Sequence, residues 1–284
     1  MVDHETWSDE QSTTTVSVDG HNLEVAYHED GPDGSDEPPV VFVHGIPTWS
    51  FLWRDIVSEV AEDRRTIAPD LLGYGNSAMS DDFDRSIRAQ EELLEALLAD
   101  LGVDRIALVA HDIGGGVALR FAAHNPEMVD QLVLSNAVCY DSWPVEFVSN
   151  LGLPSTADLE REELERRLDG AFVEGAYGEA DPEFVDGMKA PWLTDEGHVS
   201  LVRNAVATNT NHTTEIEYDA ITAETLLLWG EDDVMQPYAY AERLADDLAD
   251  AELAPLSEAY HWVPEDRSTA YAERLCEFLT GTEV

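Results

Sequence analysis

Short apolar runs alternating with helical patterns constrain this chain more than any other feature. Val40-Val41-Phe42-Val43 is a continuous apolar run of strand length, which suits a parallel strand buried on both faces. Residues 51–61 then read as helix, 65–68 as strand and 86–101 as helix, and 105–110, 114–124 and 131–135 continue as strand, helix and strand. Such a run of βαβ units predicts a mostly parallel sheet covered on both faces, an α/β fold. Ahead of it, 13–18 and 23–27 flank Asp19-Gly20, a hairpin signal. Residues 1–12 are polar and expected to fray, and the Gly-, Pro- and Asp-rich 31–39 reads as a loop.

The rhythm breaks near Val138. From Cys139 to about Asp219 the pattern is helical, with charged runs such as 158–168. Strand-and-helix order returns at 225–229, 238–248, 251–256 and 268–279. The expected organisation is a core in two parts, 1–138 and 220–284, with a helical cap over 139–219. An insertion of roughly 80 residues is too long for an ordinary loop.

Charge narrows the setting. Sixty Asp and Glu oppose fifteen Lys and Arg, a formal charge of −45, and Lys189 is the only lysine. Such a chain repels itself in dilute salt, so we expect adaptation to a salt-rich cytoplasm, as in a halophile. Nucleic acid, equally negative, is an unfavourable partner. Cys139 and Cys276 stand in no metal or redox spacing. The N-terminus is acidic with no apolar h-region, and no apolar stretch approaches a membrane span. The expectation is a soluble cytoplasmic protein that works without membrane, metal or organic cofactor.

Open parallel sheets place their chemistry at the carboxyl ends of strands. Four such ends carry suggestive residues: 44–49 (His-Gly-Ile-Pro-Thr-Trp), 70–77 (Asp-Leu-Leu-Gly-Tyr-Gly-Asn-Ser), 110–115 (Ala-His-Asp-Ile-Gly-Gly) and 229–233 (Trp-Gly-Glu-Asp-Asp). His261 follows the last expected strand. The segment 110–115 has the shape of a nucleophile elbow, where a strand turns sharply into a helix and only small residues fit around the tip. Asp112 stands at that tip, with Ala110 and Gly114 two residues to either side. Taken alone, Asp112 also reads as an N-cap for the helix 114–124.

Together these segments resemble the α/β-hydrolase superfamily, and within it the branch of haloalkane dehalogenases and epoxide hydrolases. His44-Gly45-Ile46-Pro47-Thr48-Trp49 resembles the dehalogenase loop, and His111-Asp112-Ile113-Gly114-Gly115 the elbow. The likeness spans roughly 15–138 and 222–280. It implies an α/β-hydrolase fold with Asp112 as nucleophile, His261 as base and Asp233 as acid, three residues beyond Gly230. Asp232 is the alternative acid. Some dehalogenases place the acid after the preceding core strand, where this chain has Ser135-Asn136-Ala137. The resemblance also implies an oxyanion hole from the backbone N–H groups of Ile46 and Ile113.

A carboxylate nucleophile suits displacement at saturated carbon, giving an alkyl ester that His261-activated water then hydrolyses. The implied partners are a small apolar organic molecule and water, with no metal. The leaving group is open. Dehalogenases commonly carry Trp after the nucleophile, where this chain has Ile113, and Asn or Glu where it has Ile46. Trp49, Trp143 and Trp192 are alternative donors, with His44 and Trp262 as further pocket candidates. An epoxide hydrolase needs a proton source, for which Tyr140, Tyr177 and Tyr218 are available. The first expectation is cleavage of carbon–halogen bonds, the second epoxide hydrolysis, and the third a non-catalytic binding protein on the same fold.

Overall fold

A computed structural model describes residues 2–32 and 37–281. Eight strands form one sheet: β1 (Ser12–Val18), β2 (His21–Asp30), β3 (Val40–Val43), β4 (Thr66–Pro69), β5 (Ile106–His111), β6 (Val129–Ser135), β7 (Glu224–Gly230) and β8 (Ala251–Leu256). Their order is β1-β2-β4-β3-β5-β6-β7-β8. β2 runs antiparallel to β1 and β4, and every pairing from β4 through β8 is parallel. β3 and β5 are buried along their whole length, as the apolar runs VVFV and IALVA suit. The chain has the α/β-hydrolase fold.

The helices are α1 (His4–Glu10), α2 (Arg54–Val60), α3 (Ile87–Asp100), α4 (Ile113–His124), α5 (Glu146–Leu151), α6 (Pro154–Ala157), α7 (Arg161–Glu174), α8 (Pro182–Lys189), α9 (Asp195–Val206), α10 (Asn211–Thr214), α11 (Tyr238–Asp247), α12 (Val263–Asp266) and α13 (Ser268–Thr280). The expected helix 51–61 divides into a 3-10 turn, Ser50–Trp53, followed by α2. Of the expected 31–39 loop, residues 33–36 lie outside the described ones.

The N-terminus departs from the frayed tail expected of 1–12. Asp3 caps α1 by accepting from the Thr6 N–H at 2.7 Å. Trp7 is buried, stacks on His28 at 3.8 Å between centroids and donates its indole N–H to Ser50 Oγ. A count of polar residues hides one large aromatic anchor, and here that anchor orders the segment.

Between β6 and β7 the chain runs through α5 to α10. This segment rests on loops that follow core strands. The Trp192 indole donates to Pro47 O at 2.7 Å, and that of Trp49 to Gly187 O at 2.9 Å. Ser200 Oγ and Asn204 Nδ2 both donate to Gly73 O. The N–H groups of His261 and Trp262 both donate to Gly175 O. Lys189 joins α7 to α8 through Asp169 and Asp186.

Candidate active site

β5 ends at His111 and α4 begins at Ile113, so Asp112 alone makes the turn, at φ 52° and ψ −123°. A non-glycine residue held there costs about 1–3 kcal/mol and is retained where the surroundings dictate it. Those surroundings are tight. A Cβ on Gly45 would stand 2.4 Å from Asp112 Cβ, and one on Gly114 would stand 2.4 Å from Val43 O. The Asp112 side chain caps no N–H of α4, so its chemistry points away from the helix.

Asp112 Oδ1 accepts from the Ile46 N–H at 2.8 Å. Its Oδ2 lies 3.6 Å from His261 Nε2, and the other imidazole nitrogen, Nδ1, lies 2.9 Å from Asp233 Oδ2. The acid facing the imidazole is therefore Asp233, while Asp232 is exposed. Asp233 Oδ1 also accepts from the Met235 N–H at 2.7 Å. The Ile113 N–H opens α4, where the first N–H groups of a helix have no intrahelical partner.

Burial lowers the His261 pKa, but Asp233 and Asp112 raise it by more, to about 10. Burial likewise pushes the Asp233 carboxyl up. His261, Met235 and Asn136 more than offset that, and it sits below the ordinary carboxylate range. At neutral pH His261 is thus held as an imidazolium between the Asp233 and Asp112 side chains. His111, whose ring lies 4.9 Å from that of His261, is held neutral by burial, at about 3. Its neutral ring fits an Nδ1–H that donates to Ser135 O at 3.1 Å. His44 is also neutral through burial, at about 4.

Several pocket candidates turn out to hold the scaffold instead. His44 accepts from the Leu71 N–H through Nε2 and donates through Nδ1 to Gly45 O, so neither nitrogen is free for substrate. The indoles of Trp49 and Trp192 are bonded to carbonyls as described, and that of Trp262 donates to Phe172 O at 3.1 Å. Only Trp143, of the four, has a buried indole N–H without a partner. Tyr140 donates to Asp247 Oδ2 at 2.7 Å and lies under the Arg243 guanidinium, 3.5 Å from its ring centre. The Tyr218 hydroxyl is engaged by the Tyr140 N–H and Thr213 O, and Tyr177 is exposed. These tyrosines do not converge on Asp112, because each is satisfied locally or faces solvent.

Two residues gain importance from the structure. Asn136, just beyond β6, adopts φ 43°, a conformation Asn tolerates better than most residues. Its Nδ2 donates to Asp233 Oδ2 and Tyr260 O, and its Oδ1 accepts from the Gly230 N–H. In sequence it registers only as a missing carboxylate, although an Asn at a strand end was a usable signal. Tyr74 lies in the strand-end segment 70–77 and is buried against His44 and Trp192. A groove of about 570 Å³ lined by Asp55, Glu59, Ser268 and Cys276 lies away from all of these residues. It is acidic and open, and offers no desolvated nucleophile.

A family profile described as "alpha/beta hydrolase fold" matches residues 38–268. Haloalkane dehalogenase 2 of Mycobacterium tuberculosis is 28% identical over 257 residues, covering 86% of this chain and 89% of its own. The cis-3-alkyl-4-alkyloxetan-2-one decarboxylase of Shewanella oneidensis is 26% identical over 279 residues, covering 88% and 84%. Among solved structures, an alpha/beta hydrolase fold protein from Burkholderia ambifaria superposes with a TM-score of 0.85 at 27% identity, covering 93% of this chain and 97% of that one. Relatives with different printed activities share one scaffold, and this chain belongs to the α/β-hydrolase fold family.

Proposed function

We propose that this protein is a hydrolase in which Asp112 displaces a halide from a saturated carbon. The observation carrying this reading is the Asp112 carboxylate itself, with Oδ1 on the Ile46 N–H and Oδ2 toward His261. Oδ2 attacks the carbon, the C–X bond breaks, and its electron pair leaves with the halide. The product is an alkyl ester of Asp112. Water then loses a proton to His261 and attacks the ester carbonyl. Oδ1 becomes the oxyanion and is held by the Ile46 and Ile113 N–H groups. Collapse releases the alcohol and restores the carboxylate, with one proton passing to solvent overall.

The charge arrangement suits this order of events. In the resting site two carboxylates hold His261 protonated. Alkylation makes Asp112 neutral and removes one of them, so the imidazole pKa falls. The base becomes available once the ester that needs it exists. Asp112 and His261 are 3% and 1% exposed, so a substrate enters only when part of the segment 139–219 moves. Closure then excludes bulk water from the displacement. The dehalogenase relative adds support, as does the 44–49 loop.

The test is a panel of 1-bromoalkanes and terminal epoxides assayed in molar salt, reading halide, proton and diol release. Bromide release with stoichiometric alcohol is expected. Diol formation alone would move the reading to epoxide hydrolysis, and no turnover of either series would favour a binding protein. Asp112→Ala is expected to abolish halide release, by several orders of magnitude, with an unchanged circular dichroism spectrum. More than a tenth of the activity surviving would remove Asp112 from its role.

A further inference from the structure

A carboxylate that expels a halide needs a hydrogen-bond donor for the departing anion, and neither Ile113 nor Ile46 has a side-chain donor. The indoles of Trp49, Trp192 and Trp262 are already bonded to carbonyls, while that of Trp143 is unpartnered but belongs to a residue tied to Thr210 within the segment 139–219. Tyr74 is differently placed. It is 1% exposed, with its ring edge-on to His44 at 5.2 Å and to Trp192 at 5.6 Å. His44 precedes Gly45, whose missing Cβ leaves room for the Asp112 carboxylate. The Tyr74 hydroxyl has no hydrogen-bond partner among the described residues. A buried phenol usually finds one, and Phe would fill the same space without the cost of an unmet hydroxyl.

The loop carrying Tyr74 is rigidly built. Gly73 O accepts from Ser200 Oγ at 2.8 Å and from Asn204 Nδ2 at 2.7 Å. The Gln90 side chain brackets Leu72, accepting from its N–H and donating to its carbonyl, both at 2.9 Å. Asp70 Oδ2 accepts from the Asn76 N–H at 2.8 Å, and its Oδ1 from the Ser50 N–H at 2.9 Å. Most polar groups of this loop are thus engaged with one another, the buried Arg85 Nε and Asn204 Oδ1 beside Gly73 being exceptions, and no hydrogen bond claims the phenol.

On the Asp112 reading above, we propose that the Tyr74 hydroxyl donates the hydrogen bond that receives the leaving halide and so sets the preference among halides. Burial and the nearby Asp112 charge hold the phenol well above the ordinary tyrosine range, so it keeps its proton. A halide needs only that: the C–X pair leaves with X, the new C–O bond forms at Asp112, and the Tyr74 O–H bond stays intact. An alkoxide from an epoxide would demand the proton itself and leave a buried phenolate behind.

The experiment compares Tyr74→Phe with wild type on 1-bromohexane and 1-chlorohexane, in molar sulfate so that no halide is added. Alkylation is read by mass spectrometry in a His261→Gln background, where the ester accumulates. Tyr74→Phe is expected to slow alkylation by chlorohexane tenfold or more and by bromohexane much less, since chloride is the poorer leaving group and the stronger acceptor. Bromide added to wild type should inhibit, and the substitution should weaken that inhibition. Equal slowing of both substrates, or none, overturns the Tyr74 role while the adduct on Asp112 still stands. An absent adduct with Tyr74 intact instead refutes the Asp112 reading. Should Tyr74→Phe melt early, Tyr74→Met must produce the same change in bromide-to-chloride ratio, and an unchanged ratio there overturns the proposal equally.

Discussion

His261 Nε2 stands 3.6 Å from Asp112 Oδ2, on the opposite side of the imidazole from Asp233. That separation is an ion-pair contact, too long for a direct hydrogen bond. On the proposed mechanism His261 faces the nucleophile as a charge partner in the resting site, and its proton-accepting role begins only after Asp112 is esterified.

Alkylation should then proceed without the imidazole, and hydrolysis should not. His261→Gln is expected to accumulate a covalent adduct, with a mass increase equal to the alkyl group, on the peptide containing Asp112. Turnover should stop after one equivalent of halide. An adduct on another residue, or steady turnover in this variant, contradicts the scheme.

Asn136 is expected to matter for the second half-reaction only. It donates to Asp233 Oδ2 and binds Gly230 N–H and Tyr260 O as well. Asn136→Ala leaves Asp233 less well held and buried backbone groups unmet, costing about 1–3 kcal/mol of stability. Hydrolysis of the alkyl-enzyme should slow about tenfold, equivalent to 1.4 kcal/mol, while the rate of halide release in the first turnover stays the same. Single-turnover kinetics separate the two, and equal slowing of both steps would assign Asn136 to folding alone.

The imidazolium also links stability to pH. The folded His261 pKa is raised from 6.5 to about 10. Its contribution is complete below the unfolded value and is lost as pH rises through the folded one. Melting temperature should consequently fall between about pH 7 and 10 through this group. His261→Gln should flatten that slope relative to wild type, with buried tyrosines common to both. Identical slopes in the two proteins would falsify the imidazolium assignment.

The βαβ rhythm was legible because the strands from β3 to β7 carry short apolar runs, such as VVFV in β3, LVL in β6 and LLLW in β7, between turn signals. The elbow was legible because Asp112, which alone also reads as a helix N-cap, stands among small residues in a chain whose other strand ends carry matching segments. The sequence favours Asp233 over Asp232 by spacing alone, whereas in the structure Asp233 is buried beside His261 and Asp232 is exposed. What sequence could not supply were long-range assignments. Whether an indole N–H is free or bonded depends on a carbonyl about 140 residues away for Trp49 and Trp192. Trp7 ordering the N-terminus depends on His28 and Ser50. Tyr74 stands in the sequence only as one residue of the strand-end segment 70–77, because whether its hydroxyl is bonded is visible only once every neighbour's partner is known.

Salt should decide whether this fold stands at all. The formal charge of −45 comes from sixty acids against fifteen bases. Many of those bases already sit in ion pairs, such as Arg54 with Glu265, Arg120 with Glu91 and Glu215, and Lys189 with Asp169. Most carboxylates consequently face one another through solvent. Folding brings them closer, and the Debye length shrinks from about 30 Å at 0.01 M to about 3 Å at 1 M ionic strength. Dialysis into low-salt buffer at neutral pH is expected to unfold the protein, and molar KCl or NaCl to protect it. Salts that strengthen apolar burial, such as sulfate, should add to this beyond their ionic strength. Comparing chloride and sulfate at equal ionic strength separates screening from burial. A melting temperature that does not move between 0.05 M and 2 M KCl would mean that the acidic surface serves solubility, and that the fold tolerates its own charge unscreened.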